Sequence, residues 1–77
     1  MASSHPPSTI RVVPRDRSWR VISDPGRERL IDILCTRERA LEHALELASE
    51  LVERGLERAV RIRVEDRSGR VEQLDVC

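Results

Sequence analysis

The sequence predicts an α+β domain, a mostly antiparallel sheet in the order β-β-β-α-β-β with one face covered by a single amphipathic helix. Three observations point there. Residues 36–55 place Ala40, Leu41, Ala44, Leu45, Leu47, Ala48, Leu51 and Val52 in one stripe of a 3.6-residue wheel. Residues 60–65 alternate strictly, with Val60, Ile62 and Val64 on one side and Arg61, Arg63 and Glu65 on the other. Elsewhere, short β-branched runs are separated by turn chemistry at Pro14 to Ser18, at Asp24-Pro25-Gly26 and at Asp66-Arg67-Ser68-Gly69.

Taken in order, residues 1–8 are small, polar and proline-bearing, and are expected to form a leader without fixed structure. The folded domain is expected over 9–77. Residues 9–13 (TIRVV) read as a first strand stopped by Pro14, which cannot donate to a ladder. Residues 19–23 (WRVIS) resume the extended pattern with Trp19 and Val21 on one face, completing a hairpin. Residues 29–35 (RLIDILC) are apolar but for Asp32, and either form a third strand or lead into the helix. The strand is favoured because Thr36 then begins a fresh cap. Ile31, Ile33 and Cys35 would share one face and Leu30 and Leu34 the other, letting the strand touch both the helix and a second chain.

Thr36 suits the N-cap of the helix, Glu38 lies in the first turn where the dipole favours negative charge, and Gly55 suits the left-handed C′ position. After the alternating strand comes a hairpin around Gly69. Residues 70–76 close the chain, and the change of parity from Val71 to Leu74 and Val76 suggests a bulge near Glu72 or Gln73.

Several of these pieces occur together in a small bacterial family, the domain of unknown function 2188. The matching stretches are Val12-Val13-Pro14, Trp19-Arg20-Val21, Thr36 with Ala40, Ala44, Leu47 and Ala48, and the segment from Asp66 through Gly69 to Val71. The chain resembles that family over about residues 10–72. It departs at Arg17-Ser18, where the family has glycines, at Glu65, where it often has histidine, and in a longer connection around 54–58. The resemblance implies the fold and no activity.

Composition narrows the function classes. The 77 residues make one small domain whose core is nearly offset by the entropy of ordering the chain, which favours self-association. Fourteen basic residues, all arginine, are matched by 14 acids. Zero net charge argues against a general nucleic-acid coat, and the arginine bias fits GC-rich coding in a bacterium. No apolar run approaches the ~20 residues that span a membrane, and no secretion-signal pattern begins the sequence, so a cytoplasmic protein is expected. Cys35 and Cys77 have neither framework nor metal-knuckle spacing. Cys35 is expected as a small core residue.

No catalytic, cofactor or metal site is expected. There is no nucleophile elbow and no glycine-rich phosphate loop, and His43 falls on the polar side of the helix among Arg39, Glu46 and Glu50. Glu42, Glu46, Glu50 and Glu53 form an acidic band that points to solvent and lacks the Glu-x-x-His pairs of a carboxylate metal site.

The candidate macromolecule contacts are Arg11, Arg20, Arg61 and Arg63, expected to gather on the sheet face opposite the helix. Trp19, the one aromatic, is expected to anchor the core and not to serve as a stacking surface. The bland alternative is a solvated face crossed by arginine–acid pairs. The sequence therefore favours a non-catalytic interaction module without cofactor, a homodimer that binds another protein or macromolecule. The alternative is a nucleic-acid-binding accessory or regulator using the arginine face.

Overall fold

The computed structural model describes residues 8–24 and 29–77. The elements are β1 (Ser8–Arg15), β2 (Ser18–Asp24), β3 (Arg29–Leu34), α1 (Arg37–Glu53), β4 (Val60–Glu65) and β5 (Val71–Val76). They form the expected α+β fold, a five-stranded sheet with one helix packed on it. The strand order is β3-β2-β1-β4-β5. Three neighbouring pairs are antiparallel and the central pair, β1 with β4, is parallel. A parallel pair requires a crossover, and α1 provides it by carrying the chain from the β3 edge back over the sheet to β4.

The leader and the turn at Pro25-Gly26 lie outside the described residues, except that Ser8 already belongs to β1, opposite Val60. Pro14 does not stop β1, which runs on to Arg15. The ladder to β4 ends at Val12, so Pro14 sits where the strand has a neighbour on one side only. A two-residue turn follows, with Asp16 in the left-handed region at φ 52°, a conformation aspartate tolerates.

Ile10, Val12, Trp19, Val21, Val60, Ile62 and Val64 point to the helix and form the core with Ala40, Ala44 and Ala48. The three alanines recur every four residues and are fully buried, so the helix backbone lies close to the sheet. Leu41, Leu47, Leu51 and Val52 flank them against the core, whereas Leu45, at the outer margin of the stripe, is exposed.

Both helix ends behave as the sequence implies. The Arg39 N–H donates to Thr36 Oγ1 (3.1 Å), closing the N-cap. At the other end Gly55 adopts φ 72°, its N–H donates to Val52 O (3.0 Å) and the Leu56 N–H donates to Leu51 O (3.0 Å). Those two bonds make a Schellman motif. The final hairpin turns on Gly69 at φ 91°. There the Ser68 hydroxyl donating to the Asp66 carboxylate (3.1 Å), aided by the Arg67 backbone N–H, holds Asp66 below the usual carboxylate range.

Three side-chain assignments change. In β3 the register shifts against β2: Val21 faces Asp32 but Ile22 faces Leu30. The extra residue flips the strand's parity, so Ile31 and Leu34 pack on the helix side while Leu30 and Ile33 are exposed. In β5 the expected bulge is absent, because pairing with β4 is continuous from Glu65 opposite Val71 to Val60 opposite Val76. Val71 therefore lies on the face away from the helix. Cys35, just past β3, is exposed and not part of the core.

Candidate functional site

The sheet has one covered face and one open face, and the open face carries what is unusual about this chain. Strand alternation puts Arg11, Arg20, Arg61 and Arg63 all on it, since each lies one residue from a helix-facing core position. Arg11 and Arg63 are direct neighbours across the parallel β1–β4 ladder. The four arginines the sequence singled out thus share a surface.

They are not equivalent. The Arg11 guanidinium reaches Glu65 on β4, with Nη2 at 2.8 Å from Oε2 and Nε at 3.3 Å. Arg61 pairs with Asp75 directly across the β4–β5 ladder, Nε to Oδ1 at 3.1 Å. Such half-exposed pairs satisfy the charges locally and are worth little in stability. Arg20 and Arg63 enter no ion pair among the described residues, and neither does Arg15, at the end of β1 on the same face. The surface is therefore half cross-strand pairing and half unneutralised charge.

The open face also has an apolar strip that the arginine pattern hid. Ile22 on β2 faces Leu30 on β3, and in the next row of that face Arg20 stands between Val13 on β1 and Ile33 on β3. Leu30 is 50% and Ile33 49% exposed. Val13, opposite Arg20 and between Arg11 and Arg15 on its own strand, is buried. The signal was present in the doublets Val12-Val13 and Val21-Ile22: a strand with one wet face alternates, and a doublet places an apolar residue on each side. The β3 bulge, which brings Leu30 and Ile33 to one face, left no comparable trace.

A pocket of about 210 Å³ opens on this face, lined by Arg15, Arg20, Ile22 and Leu30. Within the face, the Nε of Arg20 is buried and has no hydrogen-bond partner.

The strand edge next to this strip is guarded. The Ile33 N–H of the edge strand β3 donates to the carboxylate of Asp32 (2.8 Å), which occupies a donor another strand would need. The other carboxylate oxygen of Asp32 lies 3.8 Å from His43 Nδ1. His43 is thus half-buried against β3, more engaged than a solvated helix residue. A second hollow of about 180 Å³ adjoins it, lined by Leu34, Arg39, Glu42, His43 and Glu46.

Glu42, Glu46, Glu50 and Glu53 all face solvent, and Glu50 bonds Arg54 one turn on at 2.7 Å. Among the described residues no three histidine, cysteine or acidic side chains converge as metal ligands would. No helix among them is long and apolar enough to cross a membrane. Trp19 is 9% exposed in the core, and the Arg67 guanidinium lies over its ring at 5.5 Å from the centroid.

No family model, curated protein or solved structure matches this chain. Its own surface is the basis for assigning a role.

Proposed function

We propose that this protein is a non-catalytic interaction module that forms a homodimer through its open sheet face. The observation that carries this reading is the apolar patch of Ile22, Leu30 and Ile33 on a sheet face that no described element covers. An exposed apolar strip rimmed by charge is the usual mark of a contact surface.

Two features favour a second copy as the occupant. Five strands about 4.8 Å apart and six residues long project roughly 500 Å². Side-chain relief raises that toward the ~800 Å² each partner gives a stable interface. The Asp32 guard on the β3 edge favours stacking of faces over extension of the sheet.

The same proposal includes a cytoplasmic bacterial protein related to the domain of unknown function 2188 family, with dimerisation serving to bind a further protein partner. Nucleic acid is the runner-up occupant. It is disfavoured because Arg11 and Arg61 already pair with acids and because the single aromatic, Trp19, lies on the covered face.

Light-scattering mass at low and high salt, with and without a mixed pool of short DNA and RNA, tests this. A dimer that ignores nucleic acid, and that Leu30→Glu with Ile33→Glu converts to a monomer of unchanged circular dichroism, is the expected result. A monomer under all conditions sinks it. A complex with nucleic acid that dissolves at high salt, and is lost in Arg61→Ala with Arg63→Ala, would transfer the face to the runner-up.

A further inference from the structure

We propose that the pocket between Arg15 and Arg20 is a carboxylate-binding site, built for an acid carried on a short aliphatic stem. The two arginines stand on adjacent strands, on the same face and on a register diagonal, since Arg15 faces Ser18 and Arg20 faces Val13. Ile22 and Leu30 complete the lining, as direct partners across the β2–β3 ladder. Two arginines and two branched aliphatic residues thus line the pocket.

Arg20 makes the case specific. Its Nε is buried and unpartnered, and no ion pair among the described residues includes Arg15 or Arg20. Elsewhere on the same face Arg11 is neutralised by Glu65 and Arg61 by Asp75, whereas Arg63, like Arg15 and Arg20, enters no ion pair among the described residues. A carboxylate suits two guanidinium groups that enter no ion pair, because its two coplanar oxygens can accept from a terminal nitrogen of each.

The size agrees. The hollow of about 210 Å³ is open to solvent and has room for a short aliphatic chain beside the carboxylate. A nucleic-acid phosphate would use the guanidinium groups but leave Ile22 and Leu30 unsatisfied. The carboxylate has two sources, a free aliphatic acid or the aspartate or glutamate side chain of a second copy, and the recognition chemistry is common to both.

The test observes the Arg Nε–Hε signals of the ¹⁵N-labelled full chain. In one arm sodium hexanoate is added, with sodium acetate and inorganic phosphate as comparators. In the other the protein alone is diluted through its association range. A saturable shift of the Arg20 signal by hexanoate, at least tenfold tighter than by acetate or phosphate, supports the site with a free acid as ligand. A shift on dilution that hexanoate reproduces by competition supports it with the second copy as source. Arg20→Lys keeps the charge but loses the fork, and is expected to abolish either response while backbone amide dispersion stays unchanged.

The proposal fails if Arg20 responds in neither arm, if phosphate or a short oligonucleotide binds as tightly as hexanoate, or if Arg20→Lys binds equally well. It stands apart from dimerisation, which the scattering mass reports. A monomer with a responsive Arg20 would overturn the dimer and leave the site standing.

Discussion

Single residues at chain reversals set the boundaries of the elements. Thr36 ends one extended segment and starts the helix because its hydroxyl accepts the otherwise unpaired Arg39 N–H. Gly55 ends the helix because φ 72° is strained for a side-chain-bearing residue. These positions were legible in the sequence, since capping is decided by chemistry within three or four residues. Thr36→Ala is expected to lower stability by about 1 kcal/mol. Urea unfolding would show a lower midpoint at constant slope, and an unchanged midpoint would remove Thr36 from the cap. Pro14 was legible only in part. Its missing N–H was evident, but where the β4 ladder ends was not, and that decides whether proline can stay in a strand.

Elements differ in how openly they declare their faces. β4 was readable because one side is aliphatic and the other charged, and its pairing is regular on both sides. β3 was readable as a strand but not in its parity. Its bulge arises from how β2 and β3 meet, and no local residue choice announces it. Asp32 looked like an interruption of an apolar run and is the residue that guards the sheet edge. Asp32→Ala would free the Ile33 N–H for another strand. The expected result is faster growth of β-rich aggregates, followed by thioflavin fluorescence and scattering at equal protein concentration. Growth no faster than in the parent chain would show that Asp32 has no guarding role. The acid also sits 3.8 Å from His43, so His43→Ala is the control that separates the edge from the helix contact.

At the scale of the whole molecule, one helix covers one face of a five-stranded sheet, and its centre is three alanines. Alanine brings the backbones close but buries little area, so the covered side contributes modestly for a domain of this size. Burying the opposite face against a second copy would add the missing apolar area and couple stability to concentration. A hundredfold rise in protein concentration is then expected to raise the melting temperature by about 5–10 °C. A melting temperature independent of concentration would mean that each chain is stable alone. The strip that would drive this coupling lay hidden in the sequence among the arginines that share its face.

The sequence by itself determined the helix and its caps, four of the five strands with their order along the chain, and the face that Val60, Ile62 and Val64 present, and it favoured a strand over a helix lead-in at 29–35. Each depends on periodicity or capping within a few residues. Only the tertiary structure decided that β1 and β4 lie side by side in parallel, that Arg11 and Arg61 have acids within reach while Arg20 has none, and that Leu30 and Ile33 emerge together beside Ile22. Those outcomes depend on which strands become neighbours and in what register. Register is fixed by the joint burial of distant segments, which no short window of the chain contains.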